Sequence, residues 1–211
     1  MTDDNDMHDL TESLARLQAQ AMAKPLREAD DEDRELAERE LSMWERRIPK
    51  RLRHAQLADL PEPHASSIYD WLNESNGENL LLLGPVGVGK SFAGVAALRY
   101  AFDSGTNIMF VPVVEALDAL RPGGPDDDAA VGLRSVGMLL LDDLGVEKPS
   151  EWTAEQLYGI VNRRWLDERP TIVTSNLTVD KLAAALDPRL CSRLVHDALV
   201  IEMTGEDRRR S

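Results

Sequence analysis

The residues Gly84, Pro85, Val86, Gly87, Val88, Gly89, Lys90 and Ser91 have the types and the spacing that phosphate chemistry requires. Glycines let a main chain curl around an anion and offer its N–H groups without interference from Cβ atoms. A helix opening at the end of such a loop adds the positive end of its dipole. Lys90 is expected to reach the β- and γ-phosphates of a nucleoside triphosphate, and Ser91 to coordinate Mg2+. The cofactors implied are ATP and Mg2+.

A second chemical signal is the run Met138-Leu-Leu-Leu-Asp142-Asp143, an apolar stretch that ends in two carboxylates. Beside the phosphate loop, one carboxylate would hold the magnesium through water and the other would polarise an attacking water. Asp142 takes the metal role and Asp143 that of catalytic base. Either residue alone reads equally well as a cap on the segment that follows.

These residues need a scaffold that brings them together. Asn79 to Leu83 is a short apolar run after the turn signal Asn76-Gly77, so a buried strand is predicted there. Ser91 to Phe102 reads as a helix with Gly105 at its C-terminal cap. Asn107 to Pro112, Met138 to Leu141, Thr171 to Ser175 and Leu199 to Met203 read as further strands. Thr153 with Gln156 has the spacing of a capping box opening a helix that carries Leu157, Val161 and Trp165 on one face. Apolar strands alternating with helices predict an α/β fold, a five-stranded parallel sheet sandwiched by helices. Pro122 to Asp128 reads as a surface loop.

The remainder divides by charge. Residues 1–47 form an acidic extension with two narrow helical stripes, Leu10, Leu14, Leu17 and Ala21, then Leu36 or Ala37, Leu41, Trp44 and Ile48. A partner-binding helical segment and a partly disordered solvated tail are both compatible with it. The sign then reverses at Arg46, Arg47, Lys50, Arg51 and Arg53, which suit a solvated linker, a segment folded near the nucleotide, or a DNA contact. Residues 48–78 are read as this linker and the first helix of the core, and 79–211 as the ATPase domain.

Composition bounds the rest. With 211 residues and 43% hydrophobic content, the chain can build one domain with a sizeable core. A formal net charge of -14 argues against DNA binding by the whole surface, so any such contact is local or supplied by assembly. The single Cys191 excludes an internal disulfide framework and reads as a packing residue. The four histidines have no metal-ligand spacing, and Trp71 and Trp152 are expected to pack against the domain. No apolar run is long enough to span a membrane and the acidic start is unlike a signal peptide, so a cytoplasmic protein is expected.

The run LLLLDDLGVEKPSEWTAEQLYGIVNRRW, followed by RPTIVTSNL, resembles the DnaC-type helicase loaders and the related IstB transposition ATPases, both of the AAA+ class. The resemblance extends from about Ile48 to Arg209 and rests chiefly on the DDLG and TSN motifs. It implies the ASCE-type sheet of AAA+ proteins without a C-terminal lid. Asn176 falls on the sensor position that would hold the attacking water or the γ-phosphate. Arg193, supported by Arg189, falls on the arginine finger that would act on ATP bound to a neighbouring subunit, which implies a homo-oligomer or a filament. Arg209, in Gly205-Glu-Asp-Arg-Arg209, matches the arginine that can sense the nucleotide, although Arg208 stands where the family usually has tyrosine and leaves the register between Arg208 and Arg209 open.

The function this implies is that of an ATP-dependent replicative helicase loader. Its N-terminal extension would grip the helicase while its ATPase core engages single-stranded DNA. Arg121 and Arg134 are the candidate DNA contacts after the second strand. The alternative is an IstB-like transposition ATPase that assists a transposase, and a small-molecule kinase lacks sequence for an acceptor pocket or lid. Asp143 is shorter than the glutamate many AAA+ proteins use, which implies slow, switch-like turnover.

Overall fold

The computed structural model describes residues 48–121, 129–145, 147, 150–205 and 207. The acidic extension read as partner-binding, the loop 122–128 and the terminal arginines Arg208 and Arg209 lie outside the described residues. In chain order the elements are α1 (His64–Glu74), β1 (Leu80–Leu83), α2 (Lys90–Asp103), β2 (Ile108–Pro112), α3 (Val113–Ala119) and α4 (Ala129–Ser135). There follow β3 (Met138–Asp142), α5 (Glu151–Leu166), β4 (Thr171–Ser175), α6 (Val179–Ala185), α7 (Pro188–Val195) and β5 (Leu199–Glu202). Two short 3-10 turns, Lys50–Leu52 and Leu57–Asp59, precede α1.

All five strands are parallel, in the order β2-β3-β4-β1-β5. The inner strands β1, β3 and β4 are buried along their whole length. Their unbroken apolar runs follow from that, because each face of the sheet is covered by helices. Alternate residues of β1 serve opposite cores. Leu80 and Leu82 join Ile68 and Trp71 of α1 and Val95 and Leu98 of α2 on one side. Leu81 and Leu83 join Leu117, Leu133, Ile160 and Leu194 on the other. Ile48, Ala55, Leu57 and Leu60 are buried in the first of these cores, so the segment leading into α1 packs on the domain.

The predicted strands match the observed ones to within a residue at each end. The cap of α5 differs. Ser150 is the N-cap, its hydroxyl accepting from the Thr153 N–H at 3.1 Å, so Thr153 lies one turn inside the helix rather than at its start. Both Ser150 and Thr153 carry a hydroxyl suited to the role, and spacing alone chose the wrong one.

One buried group has no counterpart in the sequence reading. Arg164 of α5 is fully enclosed, donating to Thr171 Oγ1 and to the carbonyl oxygens of Leu133, Val136, Gly137 and Pro170. Burial pushes its pKa down to about 9, which leaves it charged at neutral pH. It joins the C-terminal end of α4 to the starts of β3 and β4. Among the described residues, no helix is long and apolar enough to cross a membrane.

Candidate nucleotide site

Strand order decides what meets at the carboxyl edge of the sheet. Because β4 lies between β1 and β3, the residues ending β4 stand between the glycine loop after β1 and the two carboxylates at the end of β3. Gly84 N–H donates to Ser175 O at 3.2 Å and Leu144 N–H to Thr174 O at 2.8 Å, which fixes both loops against β4.

The loop has the backbone its glycines permit. Gly84, Gly87 and Gly89 have φ of 143°, 88° and 103°, conformations that a side chain strains. At Gly84 a Cβ would run into the main-chain carbonyl of Met203, and at Gly87 into the carboxylate of Asp207. Asp207, on the chain leaving β5, therefore rests directly against the loop. Gly89 is the N-cap of α2, so the loop's free amides converge with that helix's positive end.

Lys90 is only 5% exposed. Its Nζ donates to Gly84 O, Pro85 O and Asn176 Oδ1, each at 2.8 Å. The lysine thus closes the loop on itself and ties it to the residue after β4. Asp142 is buried beside it, accepting from Thr174 Oγ1 at 2.6 Å, with the Ser91 hydroxyl near enough to favour its charged form. Burial raises its pKa above the usual carboxylate value, while the Thr174 and Ser91 hydroxyls and the Lys90 charge work in the opposite direction.

Asp143 points the other way, exposed, with φ of 60°. A non-glycine residue in this region costs on the order of 1–3 kcal/mol. The Thr174 hydroxyl compensates by accepting from the Asp143 N–H at 2.9 Å, and so ties the Asp142 carboxylate to the Asp143 main chain. Thr174 is a site residue that sequence reasoning missed. It was visible only as the first letter of the TSN tripeptide.

A cavity of about 560 Å³ opens over this cluster, within the roughly 300–1,000 Å³ typical of small-molecule sites. Gly87, Gly89, Lys90, Ser91, Asp143 and Asn176 line it, and Arg51, Leu52, Asp59 and Phe92 close it in a second wall of mixed character drawn from the segment before α1 and from α2. The second wall explains where the basic stretch before α1 goes. Of the three readings open for it, Arg51 satisfies placement near the nucleotide site, while Leu52, Asp59 and Phe92 carried no signal in the sequence. The wall mixes apolar and polar side chains, as a surface that accepts a base and ribose would.

The Ser91 hydroxyl and Asp142 carboxylate are hard oxygen donors of the kind Mg2+ takes, and both lie beside the phosphate loop. Among the described residues, no cluster of three or more His, Cys, Asp or Glu could hold a metal ion by itself.

The arginines lie elsewhere. Asn79, just before β1, donates from Nδ2 to Arg193 O at 3.0 Å and Leu194 O at 3.3 Å. Arg193 therefore sits at the amino edge of the sheet. The phosphate loop is at the opposite edge, about 16 Å away at roughly 3.3 Å per strand residue. The two are not brought together within one subunit. Arg189 pairs with the N-cap Asp187 at 3.1 Å and lies over the Tyr158 ring at 4.9 Å. Arg121 pairs with Asp118 and lies over Trp152, and Trp71 is buried with its Nε1 donating to Glu78 O, so both tryptophans pack as expected.

Residues 65–211 match the family model described as IstB-like ATP binding protein. A putative insertion sequence ATP-binding protein, y4uH, of Sinorhizobium fredii is 31% identical over 149 residues, covering 67% of this chain and 59% of that relative. The replicative helicase loader DnaI of Bacillus subtilis is 27% identical over 178 residues, covering 73% of this chain and 57% of that relative. The chain thus spans less than two thirds of the length of these curated relatives. A crystal structure of DnaI superposes with a TM-score of 0.67 at 25% identity, covering 76% of this chain and 94% of that one.

Proposed function

This chain belongs to the family of IstB-like ATP-binding proteins, and on that premise we propose that it binds and hydrolyses ATP as an oligomer that loads a replicative helicase onto DNA. The observation that carries the ATPase reading is the meeting of Lys90, Asn176 and Ser91 on one loop-lined cavity, with Asp142 buried just behind them. The loop amides hold phosphate oxygens, and Lys90 exchanges its contacts to Gly84 and Pro85 for them. Ser91 and Asp142 hold Mg2+, which when bound neutralises phosphate charge. Asp143, exposed to the cavity, accepts the proton of the attacking water, and Asn176 orients that water through an amide able to donate and accept.

Arg193 serves a neighbouring subunit. Its position at the amino edge of the sheet supports this reading, because it lies out of reach of the site in its own chain. An arginine offers permanent charge and a planar fork matched to phosphate oxygens. Arg209 senses the nucleotide from the segment that brings Asp207 against Gly87. Residues 1–47 grip the helicase, and the assembled cores engage single-stranded DNA in the cytoplasm.

The acidic extension supports a protein partner for the N-terminal part. The 31% identity to an insertion sequence protein supports the second reading, in which the same ATPase delivers a transposase. Co-purification of the full chain with a replicative helicase and, separately, with an IS21-type transposase distinguishes them. Helicase capture that disappears on deleting residues 1–47, with ATP binding intact, is expected. Capture of the transposase alone overturns the loader reading and leaves the ATPase reading standing.

A further inference from the structure

Arg193 is held from three directions. Asn79 fixes its main chain through the carbonyl oxygen at 3.0 Å. Asn162 Oδ1 accepts from its Nε at 3.2 Å. The guanidinium carbon lies 3.7 Å from the centroid of the Trp165 ring, close enough for the plane of the group to rest on the indole. Asn162 and Trp165 are three residues apart on α5, so they occupy the same face of that helix, against which α7 packs.

Among the described residues, no hydrogen bond or ion pair uses the two terminal nitrogens of Arg193. Arg164, by contrast, spends its fork on four carbonyls and a hydroxyl. Arg193 is instead tied at the root and along its face, with the bidentate end free.

We infer that Trp165 and Asn162 are positioning residues for Arg193, holding its guanidinium extended so that the terminal nitrogens meet the phosphate of a neighbouring subunit's nucleotide. The inference rests on the trans role proposed for Arg193 and adds the residues that make it effective. An unsupported arginine has several rotatable bonds to order, and that ordering opposes each productive encounter. Stacking and the Nε bond place the group in advance, so the stabilisation falls on the transition state, where phosphoryl charge is spread over oxygens. Trp165 and Asn162 touch neither substrate nor reacting atoms.

The test is steady-state ATP hydrolysis by the full-length chain across protein concentration, for Arg193→Ala, Trp165→Leu, Trp165→Phe, Asn162→Ala and the double variant Arg193→Ala/Trp165→Leu. Binding of a fluorescent ATP analogue and thermal melting report folding. Trp165→Leu and Asn162→Ala are expected to lower kcat by about tenfold with KM and nucleotide Kd within about twofold. Trp165→Phe, which keeps an aromatic face, retains most of the activity. In the Arg193→Ala background Trp165→Leu adds less than about twofold, because the group it positions is gone. If Arg193→Ala loses hydrolysis while both α5 variants keep it, the positioning role is wrong and the finger stands. If Arg193→Ala hydrolyses ATP normally, the trans role itself falls. Should Trp165→Leu fail to fold, Asn162→Ala decides alone.

Discussion

Asn176 Oδ1 accepts a hydrogen bond from Lys90 Nζ at 2.8 Å, joining the end of β4 to the phosphate loop after β1. The lysine is therefore set by two loop carbonyls and one amide before any ligand arrives. Lys90→Ala removes the only positive side chain on the loop and is expected to abolish tight ATP binding. Asn176→Ala keeps that charge and should leave the nucleotide Kd within a few-fold, while hydrolysis drops about 10²-fold, the scale of a lost transition-state donor. Isothermal titration beside steady-state kinetics checks the split, and equal binding losses in the two variants would contradict it.

Thr174 is the hinge between the two carboxylates. Its hydroxyl donates to Asp142 and accepts from the Asp143 N–H, so Thr174→Val of nearly equal volume breaks both bonds. Losing the Asp142 bond pushes that carboxyl further up and weakens its hold on Mg2+. Losing the acceptor leaves Asp143 without support for its positive φ. The expected result is a rise of about tenfold in the Mg2+ concentration for half-maximal hydrolysis, with a stability loss of roughly 1–3 kcal/mol. A magnesium titration and urea denaturation measure the two effects separately.

Asp142 also carries a pH signature. Burial raises its native pKa above the unfolded value, so the folded protein binds this proton more tightly than the unfolded chain. Its contribution to ligand-free stability is therefore fully present below the unfolded pKa and is lost as pH rises through the native pKa. Asp142→Asn removes the titration while keeping an oxygen to accept from Thr174. Melting from about pH 4 to about pH 7 should show a flatter profile for the variant and a higher Tm at the upper end. The same variant should lose magnesium-dependent hydrolysis. A Tm at neutral pH no higher than that of the wild type would show that the buried carboxylate carries no net cost.

The strands and the phosphate loop were legible because their signals are local. Leu80–Leu83 is apolar at every position since both faces of β1 are covered, and the loop glycines follow it directly. Asp142 and Ser91 are far apart in sequence, yet strand patterning was enough to expect them at one edge of a parallel sheet. The contributors that stayed hidden act through chain crossings. Thr174 matters because β4 inserts between β1 and β3, an order that periodicity does not encode. Leu52 and Asp59 face the cavity together with Phe92 of α2 because the segment before α1 packs on that helix, a meeting that local composition does not encode. Ser150 displaced Thr153 as the cap of α5 because two hydroxyls three residues apart compete for the same role.

Arg164 supplies the last test, since it separates stability from chemistry. No carboxylate is among its hydrogen-bond partners, and its charge is balanced by carbonyl dipoles, two of them at the C-terminal end of α4, where a cation is favoured. Arg164→Met fills a similar volume but takes the guanidinium donors from four carbonyls and the Thr171 hydroxyl, of which Pro170 O still accepts from Leu139 N–H. The expected cost is about 3–5 kcal/mol, since each buried acceptor left without a donor costs about 1–3 kcal/mol. Arg164→Lys keeps the charge with three donors in place of five, and should fall between the two. The cluster sits where β3 and β4 begin, at the edge of the sheet opposite the phosphate loop. Nucleotide Kd measured on the folded fraction should therefore be unchanged in both variants while the urea midpoint falls. If Arg164→Met instead denatures at the wild-type midpoint, the carbonyls have found other donors, and this buried arginine does not hold α4 to the sheet.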